Sequence, residues 1–333
     1  MKILVCGGAG FIGSNFVRQR LHSTDDSVVV LDKLTYAGRR ENLRDVEDDP
    51  RFSFIHGAIE DADAVAEAIA GVEAVVNFAA ETHVDRSIAE PDAFVRTHAI
   101  GTYVLLEAAR GHDVRYVQVS TDEVYGSIAQ GSFTETSPLD PSSPYSATKA
   151  GADLLVSSYQ QTFGLETLIC RGSNNYGPYQ YPEKLIPLIV LNALHGDRLP
   201  VYGDGLNVRN WLFVEDFASG IGHVLEHGIA GETYNVGGPD EQDNITVVRR
   251  IIELCGADDS LIDFVSDRPG HDRRYSLGSE KVRALGWSPA MRFEQGIELT
   301  VNWYRDNSWW WEPIRSGAYR EYYARQYGTA LAE

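Results

Sequence analysis

Short runs of β-branched and aliphatic residues alternate with longer amphipathic stretches through the first half of the chain. Ile3 to Cys6, Val28 to Leu31, Phe52 to His56, Ala74 to Phe78, Tyr116 to Val119 and Thr167 to Cys170 have the length and composition of strands. Most are apolar at nearly every position, the mark of strands buried on both faces in a parallel sheet. Between them, Phe11 to Leu21, Asp61 to Ala70, Pro91 to Arg110 and Pro144 to Phe163 have helical length and spacing. The repeated β-α-β succession predicts an α/β fold built on a doubly wound parallel Rossmann-type sheet. Its ligand is expected along the carboxyl edge of the strands.

Regularity fails after Arg171, in a Gly-, Asn-, Tyr- and Pro-rich stretch from Gly172 to Pro182. There the chain is expected to enter a smaller, partly interleaved α/β lobe that carries the substrate. Glu215 to His227 reads as a helix and Thr233 to Val236 as a strand, both able to return to the main sheet. The expected division is residues 1–171 for the cofactor domain, with 210–240 returning to it, and 172–209 plus 241–333 for the substrate domain. Trp309-Trp310-Trp311 reads as packing rather than a binding face.

With 333 residues, 43% hydrophobic and 23% charged, the chain can build two packed units. No apolar run approaches the roughly 20 residues of a membrane span, so no membrane partner is expected. Acids outnumber bases 48 to 29, and a net charge of −19 repels polyanions, so no nucleic-acid partner is expected either. Met1 to Val5 run straight into a strand pattern without the features of a secretory signal. Cys6, Cys170 and Cys255 lie far apart, the first two within apolar runs, and fit neither a disulfide framework nor a metal clip. A cytoplasmic protein without a metal site is expected.

Gly7, Gly10 and Gly13 follow the first strand and open the first helix, where a tight turn lets backbone amides approach a pyrophosphate. Asp32 ends the second strand, 19 residues beyond Gly13, placed to accept hydrogen bonds from an adenosine ribose. That acid favours NAD over NADP, while Lys33 beside it pulls the other way. Tyr145 and Lys149 stand four apart at the start of a helix, hence on one face. A lysine and a nicotinamide ring together would stabilise a phenolate and make Tyr145 a general base. Thr121, Asp122 and Glu123 follow the fifth strand, placing adjacent carboxylates at the sheet edge. Close together, such a pair separates its proton affinities into one acid and one base.

Four stretches carry a family resemblance: Asp32-Lys33-Leu34-Thr35-Tyr36-Ala37-Gly38, Ala79 to Ser87, Thr121 to Gly126, and Ser173 to Gln180. On them the chain resembles the dTDP-glucose 4,6-dehydratases of the extended short-chain dehydrogenase/reductase family, over Lys2 to Pro313. The resemblance implies a homodimer that uses NAD to oxidise C4 of dTDP-glucose, eliminates water across C5–C6 and returns hydride to C6, as in deoxysugar biosynthesis. It makes Asp122 the proton donor, Glu123 the acceptor at C5, Tyr145 the base at the 4-hydroxyl with Lys149 its partner, and Thr121 a ligand of that hydroxyl. It implies that Gly7, Gly10, Phe11, Ile12, Gly13, Asp32, Lys33, Leu34, Thr35, Ala58, Ile59, Phe78, Ala79, Ala80, Thr97, Tyr145, Lys149 and Asn175 hold NAD. On the substrate it implies Thr82, Thr121, Asn174, Glu183, Lys184, Leu185, Pro200, Tyr202, Arg209, Asn244, Arg268 and His271, with Arg209 on the diphosphate.

Three positions depart from the family pattern. Ala58 stands where Asp is common, removing an acceptor for the adenine amine; Gly172 stands where Cys is common, and Phe217 where His is usual. The alternatives are a 4-epimerase, a dehydratase of another nucleotide sugar, or a catalytically silent NAD-binding regulator. The Asp122–Glu123 pair argues against the epimerase, because epimerases of this group usually lack it.

Overall fold

The computed structural model describes residues 1–267, 270–316 and 318–327. The strands are β1 (Lys2–Cys6), β2 (Ser27–Asp32), β3 (Phe52–His56), β4 (Ala74–Asn77), β5 (Arg115–Thr121), β6 (Thr167–Gly172), β7 (Asn174–Tyr176), β8 (Leu199–Tyr202), β9 (Val208–Phe213), β10 (Thr233–Val236), β11 (Asp240–Asp243) and β12 (Ile262–Val265). Seven form one parallel sheet in the order β10-β6-β5-β4-β1-β2-β3. The chain winds outward from β1 in one direction through β2 and β3, then crosses to β4 and winds the other way. The crevice at the carboxyl ends of β1 and β4 is therefore the switch point at which such sheets bind ligands.

Alternation along the buried strands supplies two cores. Ile3, Val5, Val28, Val30 and Val117 face helices Phe11–Ser23 and Val214–His227 through Phe16, Val17, Phe217, Ile221 and Val224. Leu4, Cys6, Val29, Leu31 and Tyr116 face the opposite layer through Val65, Ile69, Leu105, Leu106 and Val156. Each fully buried aliphatic side chain contributes about 1.5–3 kcal/mol, so period-two placement on both faces fixes the register.

The smaller lobe holds a three-stranded sheet, β11-β9-β7, and a parallel pair, β8 and β12. Helices Leu185–His195, Asn244–Cys255 and Phe293–Asp306 close a third core around Ile189, Val190, Val248, Ile251, Ile297 and Val301. Trp310 and Trp311 are buried in it, and Trp310 Nε1–H donates to Asn42 Oδ1 at 2.6 Å, joining the lobes. Trp309 is partly exposed. Between β6 and β10 lies the whole run 173–232, so the two lobes exchange chain more than once.

The stretch expected as one helix from Pro91 to Arg110 is divided. Short α-helix Asp92–Val95 leads into a π-helical segment, Arg96–Gly101, before α-helix Thr102–His112. A π-turn widens the helix locally without changing which residues are apolar, so spacing cannot reveal it. Thr97 and His98 of this segment are both buried, Thr97 in the lining of the switch-point crevice and His98 against the Tyr145 ring.

Candidate active site

The first glycine turn fits against both strands at the switch point. Gly7, at φ +74°, donates its N–H to Leu31 O at 2.9 Å, and Gly10 N–H donates to Gly7 O at 3.1 Å. A Cβ on Gly7 would lie 2.6 Å from Ala79 N, and one on Gly13 would lie 2.3 Å from Gly7 O. Only glycine allows this closeness. The helix that follows has no side-chain cap at Gly10, so amides of its first turn are left for an anion.

Asp32 is buried at the opposite side of the turn. Its Oδ2 accepts from Ala9 N–H at 2.9 Å and its Oδ1 from Leu34 N–H at 2.8 Å, while burial raises its pKa above the usual carboxylate range. Leu34 takes φ +52° in this turn. A carboxylate has about four acceptor sites, so two remain for ribose hydroxyls. Lys33, Thr35, Gly57, Ile59 and Thr97 complete this end of the cleft.

At the far end, the carboxyl end of β5 places Thr121, Asp122 and Glu123 opposite the first turns of helix Pro144–Phe163, which carries Tyr145 and Lys149. Ser143 and Ser146 form a reciprocal cap that fixes the helix start, with Pro144 at its first position. Lys149 is buried and its Nζ donates to Val119 O at 2.6 Å; burial pulls its pKa down to about 8, against the pull of Asp153. Tyr145 is buried against Phe94 and His98, with ring centroids 6.3 and 5.8 Å away. Burial first, then the Glu123 charge, pushes its phenol above the ordinary value, while a Thr121 hydrogen bond works the other way. In these surroundings Lys149 alone does not yield a phenolate.

Asp122 is 2% exposed. Burial, and secondarily the Glu123 charge, push its pKa up to about 8, with Arg209 pulling it down. Its Oδ1 accepts from Thr121 Oγ1 at 3.3 Å, and Oδ2 is buried without a partner among the described residues. Thr121 Oγ1 in turn accepts from Glu123 N–H at 3.2 Å. Near neutral pH the pair therefore holds a protonated Asp122 beside a half-buried Glu123. Beneath it lies a second ionic layer: Arg171 Nε–H donates to Asp153 Oδ2 at 2.9 Å and Nη1–H to the Tyr125 hydroxyl at 2.7 Å.

The same cleft brings together Gly7, Gly10, Phe11, Ile12, Gly13, Phe78, Ala79, Ala80, Thr82, Asn174, Asn175, Glu183 and Lys184 from the expected set. Leu34 and Ala58 lie beside its lining rather than in it. Leu185 opens helix Leu185–His195, Pro200 lies on β8, and Asn244 opens helix Asn244–Cys255. Arg209 is buried, donating to Val208 O at 2.8 Å and Asp272 O at 3.0 Å, with its guanidinium over Tyr275. Tyr202 lines a separate cavity with Asp85, Phe264, Asp267, Gln326 and Tyr327. There His271 hydrogen-bonds Asp267 at 2.5 Å and packs on the Tyr202 ring. Arg268 lies outside the described residues.

The structure adds residues that the motif reading passed over. Tyr36 donates its hydroxyl proton to Glu183 Oε1 at 2.7 Å, and Arg86 donates to Glu183 Oε2 at 3.1 and 3.2 Å. Glu183 thus ties the loop after β2, the helix Val84–Ala89 and the smaller lobe together. Tyr36 belongs to the stretch Asp32 to Gly38 and Arg86 to Ala79 to Ser87, but only contacts across the lobes reveal their task. Glu81, Tyr181 and Phe217 also line the cleft. Two of the departures prove to be one steric exchange: a Cβ on Gly172 would lie 2.4 Å from Cζ of Phe217, so the larger ring requires the glycine.

These residues fit a dinucleotide. The glycine cradle is one that a Cβ would fill, and a buried acid stands at the ribose end. Ser120 Oγ, Asn174 Oδ1, Asn175 Oδ1 and Gln180 Oε1, on residues lining the cleft, are buried and unpartnered among the described residues. Buried polar atoms of this kind call for a ligand or water.

Comparison with known proteins agrees. The GDP-mannose 4,6-dehydratase family model matches residues 4–300. The chain is 50% identical to dTDP-glucose 4,6-dehydratase 1 of Escherichia coli K12, covering 98% of this chain and 99% of that one. A dTDP-glucose 4,6-dehydratase from Streptomyces venezuelae, solved with NAD bound, superposes with TM-score 0.92 at 53% identity, over 94% of this chain and all of the other. The UDP-glucose 4-epimerase of Thermus thermophilus, also solved with NAD, reaches TM-score 0.86 but only 32% identity, over 92% of this chain and 100% of that one. Similar over nearly its whole length to dehydratases at about half identity, and less so to an epimerase of the same fold, the chain belongs to the dTDP-glucose 4,6-dehydratase family of extended short-chain dehydrogenases/reductases.

Proposed function

We propose that this chain is an NAD-dependent dTDP-glucose 4,6-dehydratase, a hydro-lyase that forms dTDP-4-keto-6-deoxyglucose for deoxysugar biosynthesis. The observation that carries the reading is the buried carboxyl of Asp122, pushed up to about 8, beside Glu123 and across from Tyr145 and Lys149. A 4-epimerase needs only the tyrosine; elimination of water needs an acid and a base together.

When bound, NAD takes up hydride from C4, returns it to C6, and places positive charge beside the phenol. Tyr145, held as the phenolate by Lys149 together with that charge, takes on its Oη the proton of the 4-hydroxyl, which Thr121 Oγ1 holds in place. The C4 ketone acidifies the hydrogen on C5, which Glu123 takes as a proton. Asp122 gives its proton to the departing 6-hydroxyl, which leaves as water. The unsaturated ketone then receives hydride at C6 and the proton held by Glu123 at C5; because the product stays a 4-ketone, the proton left on Tyr145 passes to solvent and Asp122 takes one back, which restores all three groups. Asn174, Glu183, Lys184, Arg209, Tyr202 and His271 are assigned to the nucleotide side of the substrate.

A homodimer is proposed through the helical run 92–112 and helix Pro144–Phe163. Val95, Ile100, Tyr103 and Leu154 stand 45–63% exposed there, an apolar face on two long helices. A cytoplasmic location is supported by Cys6, Cys170 and Cys255, all unpaired, the first two buried. No helix among the described residues is long and apolar enough to cross a membrane.

Incubation with dTDP-, UDP-, GDP- and CDP-glucose tests the function. Alkaline absorbance of a 4-keto-6-deoxy product with dTDP-glucose, and no lasting reduced nicotinamide, is expected. Lasting reduced nicotinamide without dehydrated product would make the protein a simple dehydrogenase; preference for another nucleotide would reassign the substrate.

A further inference from the structure

The adenosine end of the cleft carries a charge arrangement that Asp32 does not explain. Lys33 directly follows that acid, where a free ammonium with three donors would welcome a phosphate on the ribose 2′ oxygen. The ammonium is not free. Nζ donates to Thr97 Oγ1 at 3.0 Å and lies 3.3 Å from Glu81 Oε1 and 3.5 Å from Glu60 Oε1. The three partners come from separate parts of the chain: the loop after β3, the loop after β4 and the π-helical segment. Glu81 is only 13% exposed, and Glu60 Oε2 is buried without a hydrogen-bond partner among the described residues. Each oxygen of Asp32 already accepts one backbone N–H, which leaves its two remaining acceptor sites to the ribose hydroxyls. Counting Asp32, Glu60 and Glu81 against Lys33, this end holds two net negative charges.

We infer that Glu60 and Glu81 determine the choice of dinucleotide, by holding the Lys33 ammonium so that it cannot receive a 2′-phosphate and by adding repulsion to any phosphate placed there. Asp32 shapes the turn and binds the ribose, and the two glutamates exclude NADP. The same ammonium fastens the π-helical segment to the end of β2 through Thr97. Dinucleotide choice and the local helix geometry therefore share one lysine. The inference rests on the reading of this cleft as the NAD site.

The test is the pair of dissociation constants for NAD and NADP, from quenching of tryptophan fluorescence in protein stripped of nucleotide, without sugar. Compared are the unaltered protein, the double variant Glu60→Gln/Glu81→Gln, and the triple variant that adds Lys33→Met. The double variant is expected to shift the affinity ratio toward NADP roughly tenfold or more, and the triple variant to lose that shift. Raised salt should shrink the shift, as for charges near a surface. A ratio that stays within about twofold of the unaltered protein, a shift that survives Lys33→Met, or loss of both dinucleotides together would each overturn the inference. Failure of the unaltered protein to bind NAD would instead overturn the cofactor assignment itself.

Discussion

Asp122→Asn isolates the acid half of the proposed elimination. A carboxyl with its pKa pushed up to about 8 is protonated roughly nine times in ten at pH 7, whereas one at the ordinary value is protonated roughly once in 1,600. Burial thus raises the supply of the donor form by about a thousandfold. Asparagine keeps the volume and a polar end but has no acidic proton. General-acid catalysis contributes roughly 10²- to 10⁴-fold, and the elimination step should slow by that much. In single-turnover mixing with dTDP-glucose, absorbance of reduced nicotinamide should rise at the normal rate and persist, while the product absorbance lags. Exchange of the C5 hydrogen with deuterated solvent should continue, because Glu123 is untouched. The donor form exists below about pH 8, so elimination in the unaltered enzyme should fall as pH rises through that value, and the variant should lack this limb. The sign for stability is opposite to that for activity. A carboxyl raised by folding destabilises the fold once pH exceeds its unfolded value, so the variant should melt higher at neutral pH. Product formation within about tenfold of normal, below the range of general-acid effects, or loss of nicotinamide reduction together with product, would refute the assignment of Asp122.

Gly13→Ala should weaken NAD binding by about tenfold or more while circular dichroism stays intact, since its Cβ would meet Gly7 O at 2.3 Å although alanine favours helices; equilibrium binding reads it. Gly172→Cys alone should lower the melting temperature and the rate, because Phe217 fills that space, and adding Phe217→Ala should restore most of both. Asp153→Asn should cost about 3–5 kcal/mol in denaturant unfolding by leaving Arg171 with an uncompensated buried charge. Conversely, Arg96→Ala on the surface, where Arg96 pairs with exposed Asp92, should change stability by at most about 1 kcal/mol.

The main sheet was legible because its strands are buried on both faces, so apolar runs mark them without reference to the rest of the fold. Gly7, Gly13 and Asp32 were legible because a tight turn and a strand end demand particular residue types. β11 was not, since Asp240-Glu241-Gln242-Asp243 is wholly polar and becomes a strand only by pairing with β9. The π-helical segment kept the apolar spacing of an ordinary helix. The depressed Lys149 and raised Asp122 follow from burial, which a sequence does not display at single positions. The Gly172–Phe217 exchange was visible as two departures, but their dependence on one another needed the 2.4 Å approach.

The central claim, oxidation and reduction of one sugar within one cleft, is tested most directly by isotope transfer. A mixture of dTDP-glucose bearing deuterium at C4 with unlabelled dTDP-glucose should give product with deuterium at C6 of the same molecules and no net reduced nicotinamide. Label lost to solvent, exchanged between sugars, or retained in free dinucleotide would contradict it.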